Sequence, residues 1–300
     1  MFDGAITLVL DPRVRRAVVP AVLSACVLGV ALASVTGRPD DPAEALDRAR
    51  DLMVERQPEA AMREARRALA MLGPDGDPGL SAKALMRAAQ IADLHLSDAH
   101  LAEAIGYYRE LWRRFPGSDA AFEGGLRLAE ILKQRLHDDL HAEEQFSQVV
   151  TAFPRQSGVE RLLLRAGQIA LEGRRFEAAR AHASRLLEQY PGSDLGPEAQ
   201  MMLGQAYRLE GLQVDAAKAF LAVQEQWPDT VHSARALALA GDCLADQGEF
   251  GRAIAEYIAS LPLHPEPTYV QKQLERARRH FSALRNLEPG VKAFAFHGGF

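Results

Sequence analysis

The sequence predicts an all-α fold of repeated helix pairs, preceded by one transmembrane helix. Aromatic residues make up only 7% of the 300 residues. Ala, Leu, Arg and Glu are abundant instead, and these residues suit helices better than sheets. Hydrophobic residues account for 48% and charged residues for 25%, as in an ordinary folded protein. The strongest indication of the fold is that helix-ending prolines recur at nearly constant distances.

Net charge and cysteine content exclude several classes of site. The formal net charge is −5, which argues against a nucleic-acid-binding surface. The only cysteines are Cys26 and Cys243, too few for a disulfide framework or a Cys-type zinc site. We therefore expect no nucleic-acid partner and no cofactor.

The first element along the chain is an apolar segment. Residues 17–36 form a run of twenty uncharged residues, enough for a helix that crosses a hydrocarbon core of roughly 30 Å. Three arginines precede the run, so the positive-inside rule places the N-terminus in the cytoplasm. The sequence therefore predicts a cytoplasmic tail at 1–16, a transmembrane helix or signal anchor at 17–37, and all later residues on the far side of the membrane.

Two alternatives for this segment stay open. Ala31-Leu32-Ala33 would suit cleavage of a secretory signal. Leu23-Ser24-Ala25-Cys26 resembles a bacterial lipobox, which would make Cys26 a lipidated N-terminus. In all three interpretations the rest of the chain is exported, so the predicted side of the membrane for the residues after 37 is the same.

Proline stops define a repeat after this segment. Phe115-Pro116, Phe153-Pro154, Tyr190-Pro191 and Trp227-Pro228 are followed by a degenerate fifth stop at Pro265, with spacings of 38, 37, 37 and 37 residues. Because proline cannot continue a helix, each stop is expected to end the second helix of a pair. Glycines inside each pair and Ser or Thr after each stop are expected to end and begin helices.

Small and aromatic residues recur at fixed distances from each proline stop. Gly204 and Ala216 are expected where the two helices of a pair approach closely, with Phe220 filling space towards the next pair. The residues predicted to define the repeats are Gly167, Ala179, Pro191, Gly204, Tyr207, Ala216, Phe220, Pro228, Gly241, Ala253 and Tyr257.

These residues resemble the tetratricopeptide repeat family. The resemblance covers residues 80–265 well and 42–74 weakly, although the 37-residue period exceeds the usual 34 and Gln200 occupies the usual Trp position. It implies an α-solenoid of about five to six helix pairs, closed by a capping helix at 266–287 and a flexible tail at 288–300. The Tyr/Phe-Pro-x-Ser linkers look like those of bacterial envelope members, such as the coordinator of the Tol–Pal system and the assembly lipoprotein of the outer-membrane β-barrel machinery. That likeness implies an array on the periplasmic side of the cytoplasmic membrane.

No catalytic signature is present, so an enzyme is not expected. The best metal candidate is His137 with His141, since two imidazoles four residues apart can share a helical face. A solvated turn is the preferred interpretation, and the acidic pairs Asp138-Asp139 and Glu143-Glu144 are expected to be solvated as well. An enzyme with a metal at these histidines is a distant third hypothesis.

The resemblance implies a concave groove lined by the first helix of each pair. The leading hypothesis is a membrane-anchored scaffold that binds a peptide or helix of other envelope proteins in this groove. The alternative is a structural subunit that self-associates into an oligomeric envelope complex of the secretion or assembly type. The groove positions lean basic, which favours an acidic or carboxylate-bearing ligand: they are Arg127, Gln134, Arg161, Gln168, Gln205, Arg208, Arg235 and Asp242.

Overall fold

The computed structural model describes residues 41–287, and over this range the chain is helical, with thirteen α-helices, one short 3-10 helix and no strand. The all-α prediction is therefore confirmed for the described residues. None of the helices within 41–287 has the length and apolar character needed to cross a membrane. The tail at 1–16, the apolar segment at 17–37 and the tail at 288–300 lie outside the described residues.

The first compact unit ends at Leu136. Its helices pack in chain order, each on the next, and first helices also touch the first helix of the following pair. A 3-10 turn, Asp98–His100, precedes the fourth helix. The helices are α1 (Pro42–Val54), α2 (Pro58–Leu72), α3 (Pro78–Leu94), α4 (Leu101–Arg114) and α5 (Asp119–Gln134).

The second compact unit begins at His137. It has the same order of packing, with additional contacts between α7 and α9, α9 and α11, and α11 and α13. A stack of this kind makes mainly neighbour contacts, as expected for helical repeats. The helices are α6 (Asp139–Ala152), α7 (Val159–Glu172), α8 (Phe176–Gln189), α9 (Gly196–Glu210), α10 (Gln213–Gln226), α11 (Val231–Asp246), α12 (Phe250–Ser260) and α13 (Pro267–Leu287).

The aromatic-proline stops end helices as predicted. Phe115, Phe153, Tyr190 and Trp227 are the C-caps of α4, α6, α8 and α10, with φ between −127° and −131°. Proline disfavours helical geometry in the residue before it, which explains why these caps leave the helical conformation. The degenerate fifth stop differs, because α12 already ends at Ser260, before Pro265.

Two of the predicted helix starts are confirmed and one is wrong. Ser118 Oγ accepts a hydrogen bond from Ala121 N at 3.1 Å, and Thr230 Oγ1 accepts one from Ser233 N at 3.0 Å. Ser193 instead accepts from Leu195 N at 3.2 Å, and α9 begins only at Gly196. There the side chain closes a short turn and caps no helix.

Glycines lie where the helices of a pair approach closely, and an aromatic ring packs against each of two of them. A Cβ added to Gly204 would lie 2.5 Å from Phe220 Cε1, and one added to Gly241 would lie 2.7 Å from Tyr257 Cε1. The aromatic rings therefore cover the glycine of their own pair, and Phe220 also belongs to a core cluster that includes Ala236 and Ala240 of the next first helix. The small residues Ala179, Ala216 and Ala253, predicted at such crossings, are fully buried.

The pair containing Gly167 solves the same packing problem in another way. Its position equivalent to Phe220 is Ala183, which is too small to cover the glycine. Met202 on α9 fills the gap, since a Cβ at Gly167 would lie 2.3 Å from its sulfur. Tyr207, also on α9, lies 4.8 Å below the guanidinium of Arg180 on α8. Both contacts join one pair to the next.

Gly173 ends α7 as predicted, but the left-handed residue of the turn between α7 and α8 is the next one, Arg174. Gly211 and Gly248 adopt left-handed φ values of 90° and 79° in the corresponding turns. Gly173 has φ −78°, and Arg174 adopts φ 57° instead. A residue with a Cβ is strained by roughly 1–2 kcal/mol in this conformation.

Replacing Arg174 by glycine is therefore expected to stabilise the second unit. Relief of backbone strain should outweigh the greater freedom of glycine in the unfolded chain, raising the free energy of unfolding by about 0.5 kcal/mol. Urea-induced unfolding measures this change. Gly211→Ala is the matched control and should lower the free energy by about 1 kcal/mol. Destabilisation by Arg174→Gly would show that the arginine side chain stabilises this turn.

Candidate functional site

A cleft of about 350 Å³ opens in the second unit, on the side of its first helices. Two of its walls are α9 and α11, which pack against each other. The third is the segment between α12 and α13, together with the start of α13. The lining residues are Met201, Gln205, Arg235, Ala238, Leu239, His264, Glu266 and Tyr269.

The cleft exists because α13 takes the place of one more first helix. It packs against α12 and also touches α11, as α11 touches α9. Val270 and Leu274 of α13 are buried in the same core cluster as Phe220. The predicted capping helix at 266–287 is thus present as α13, and the start of this helix also forms part of the site.

The cleft combines an apolar surface with a cation. Met201, Ala238 and Leu239 supply the apolar side, and Gln205 offers an amide donor and acceptor. Arg235 is exposed, and no described residue forms a hydrogen bond or ion pair with its side chain. Its guanidinium can therefore bind a carboxylate or backbone carbonyls of a ligand.

His264 is oriented by its own backbone turn. Its Nδ1 accepts a hydrogen bond from Glu266 N at 3.0 Å, so the neutral ring carries its proton on Nε2. The ring stacks on Tyr269 with centroids 6.2 Å apart. The carboxylate of Glu266 adds a negative charge to the rim, so the cleft has mixed polarity.

Asp242, a predicted groove residue, supports the cleft wall from within. Its carboxylate accepts hydrogen bonds from Tyr257 at 2.8 Å and from Tyr269 at 2.5 Å. Burial raises the pKa of Asp242, while the two tyrosines and the nearby charge of Arg208 act in the opposite direction. Asp242 therefore positions Tyr269, which lines the cleft, and has little capacity left to bind a ligand.

The other predicted groove residues are distributed over both units. Arg127 is paired with Asp93 at 3.2 Å and with Glu130 at 2.9 Å. Gln134 is exposed at the end of α5, in the same unit. Arg161 and Gln168 are exposed on α7 but do not line the cleft. Of the eight predicted residues, Gln205 and Arg235 line the cleft.

Sequence reasoning missed the residues that the last linker contributes: His264, Glu266 and Tyr269. The signal was present, because Pro265 lies 37 residues after Pro228 and therefore precedes another first helix. The sequence predicted only a capping role for residues 266–287, so the predicted groove did not include the first residues of this helix.

His137 and His141 lie at the start of α6. Asp138 caps α6 by accepting from His141 N at 3.2 Å, and its other oxygen is 2.7 Å from His141 Nδ1. Within residues 41–287, no three His, Cys, Asp or Glu side chains are grouped to hold a metal ion. Cys243 is buried, which raises the pKa of its thiol to about 11.

Glu143 corrects the prediction that the acidic pairs are solvated. It is only 7% exposed. It accepts from Arg175 Nε at 2.9 Å and faces His182 Nε2 at 2.9 Å. Its neighbour Glu144 is exposed, as predicted. This buried cluster joins α6 to α8.

Comparison with known proteins supports the tetratricopeptide repeat family. The family model described as "Tetratricopeptide repeat" matches residues 142–194 and 164–230, within the second unit. No curated protein sequence matched the chain. None of these comparisons indicates a catalytic family.

Solved structures show similarity at the level of the fold. A complex of Naa15 and Naa10 bound to HypK-THB matches with TM-score 0.50 and 15% identity, covering 83% of this chain and 37% of that one. A tetratricopeptide repeat protein from Parabacteroides merdae matches with TM-score 0.43 and 13% identity, covering 80% of this chain and all of that one. YrrB, a tetratricopeptide repeat protein with an unusual peptide-binding site, matches with TM-score 0.42 and 20% identity, covering 64% and 90%.

Proposed function

We propose that this protein is a non-enzymatic scaffold that binds an extended segment of a partner protein in the cleft between α9, α11 and α13. The observation that supports this most directly is Arg235, which is exposed beside an apolar surface and has no partner among the described residues. Helical repeats present such surfaces on rigid elements, so little conformational entropy is lost when a segment binds.

The chemistry of the cleft defines the segment that fits it. An apolar side chain would cover Met201 and Leu239, and a carboxylate would pair with Arg235. Gln205 can hydrogen-bond the peptide backbone of the ligand. Because Glu266 would repel a second acid at the rim, a segment with one carboxylate beside an apolar residue fits better than a run of acids.

We further propose that residues 17–37 anchor the chain in the cytoplasmic membrane and that residues after 37 act on its periplasmic side, on partners of the cell envelope. The support is the uncharged run of twenty residues and the arginines before it. A tether of this kind would raise the effective concentration of the scaffold near membrane-bound partners.

A library of random peptides displayed on phage and selected against the full chain tests the binding site. We expect enriched peptides to contain an acidic residue next to an apolar one. Arg235→Ala should weaken their binding about tenfold, because one charge-assisted contact is lost. Arg161→Ala is the matched control, since Arg161 is an exposed arginine of α7 outside the cleft. If neither Arg235→Ala nor Met201→Glu changed the affinity of the selected peptides, the peptides would bind outside the cleft and the proposed site would be wrong.

A further inference from the structure

The distal half of α13 is a second surface, separate from the cleft. This helix has 21 residues, about 31 Å, whereas its partner α12 has 11 residues, about 16 Å. His280 stacks on Phe250 at 5.1 Å, and a Cβ added to Gly251 would lie 3.5 Å from the Phe281 ring. Phe250 and Gly251 are the first residues of α12, so α13 continues past the end of its partner.

The distal half of α13, residues 277–287, exposes apolar side chains. Every residue from 278 to 284 is exposed. Phe281 is 38% exposed and Leu284 is 50% exposed. At 100° per residue these two lie on one side of the helix, with Arg278 on one flank and His280 on the other.

Helix α13 is also strongly basic in a chain of net charge −5. Glu275 is the single acid of α13, whose cations are Lys272, Arg276, Arg278, Arg279 and Arg285. No described residue forms an ion pair with Lys272, Arg276, Arg278 or Arg279. Cations left unpaired around exposed apolar residues are typical of helices that lie in a membrane interface.

We propose that the distal half of α13 binds the surface of a bilayer that contains anionic phospholipids. Phe281 and Leu284 enter the boundary between headgroups and acyl chains, and the flanking arginines bind lipid phosphates. The cations are spread around the helix and form no single pocket. This arrangement suits a membrane surface with many phosphates better than a ligand with one acidic side chain. This proposal does not depend on the cleft or on its ligand.

A dye sensitive to solvent polarity, attached at Leu284→Cys, reports on this surface alone. The full chain is used with Cys26→Ala, since Cys243 is buried and will not react. Vesicles of equal parts phosphatidylglycerol and phosphatidylcholine should shift the emission to the blue, and added salt should reverse the shift. Charge reversal of Arg276, Arg278 and Arg279 to Glu should abolish the blue shift of the dye at Leu284→Cys.

Two controls separate this surface from other membrane contacts. The same dye at Ser282→Cys, on the opposite side of the helix, should stay in water and shift little. Charge reversal of the exposed cations Arg63, Lys83 and Arg113 should leave the Leu284→Cys signal unchanged.

Three outcomes would overturn the proposal. They are an equal shift with phosphatidylcholine alone, no loss on reversal of the α13 arginines, and a shift with soluble poly-glutamate but none with vesicles. The last result would assign the surface to an acidic protein partner.

Discussion

Gly204→Ala is expected to lower the free energy of unfolding of the second unit by about 2 kcal/mol. The new methyl group would lie 2.5 Å from Cε1 and 2.6 Å from Cδ1 of Phe220, distances that atoms do not tolerate. Phe220 is fully buried, so its ring can move only by displacing the core around it. Overpacking of this kind costs about 1–3 kcal/mol, which outweighs the better helix propensity of alanine.

Urea-induced unfolding followed by tryptophan fluorescence measures this effect. The chain has two tryptophans, one in each unit, so a Trp112→Phe background leaves Trp227 to report on the second unit. Gly106→Ala is the matched control, because Gly106 is a helical glycine with no atom within 4 Å of an added Cβ. Its substitution should stabilise the first unit by about 0.5–1 kcal/mol, as read in the opposite background, Trp227→Phe.

A double-mutant cycle identifies the cause. Adding Phe220→Leu to Gly204→Ala should recover about 1 kcal/mol relative to the sum of the single changes, since the smaller side chain makes room for the methyl group. Strict additivity would mean that Gly204 is needed for some other reason than its contact with the ring.

The proline stops made the helix boundaries predictable because each acts through its own backbone. Phe153-Pro154 and Trp227-Pro228 end their helices whatever packs around them. The partner of each glycine was less predictable, because it depends on the size of a residue elsewhere. Because Ala183 stands where other pairs have an aromatic residue, Met202 of the next pair packs against Gly167 instead. The spacing of the repeats alone does not reveal this contact between pairs.

The candidate site was predictable only in part, for a similar reason. Position on a first helix predicted Gln205 and Arg235, which do line the cleft. The position of a residue on a first helix did not show that Arg127 already forms an ion pair with Asp93. It also did not show that Asp242 accepts hydrogen bonds from Tyr257 and Tyr269. Which polar residues stay available to a ligand is decided by neighbours distant in sequence, so it emerges only from the packed structure.

Glu143→Ala is expected to destabilise the second unit by about 3 kcal/mol, the largest single effect among these substitutions. The carboxylate is nearly inaccessible and satisfies Arg175 and His182 together. Removing it leaves a largely buried cation and an imidazole without their acceptor, and such losses cost about 3–5 kcal/mol when the remaining charge stays buried. We expect a loss at the lower end of this range of free energies, because Arg175 is 29% exposed and can recover part of its hydration.

The neighbouring acid is the matched control for this change. Glu144 follows Glu143 on α6 and is exposed, so Glu144→Ala should change the free energy of unfolding by less than about 0.5 kcal/mol. Both variants are measured by urea unfolding with Trp227 as the probe. Equal effects of the two substitutions would mean that helix propensity, and not the cluster, determines the result. A loss confined to Glu143 would show that this ion cluster joins α6 to α8, which both pack against α7.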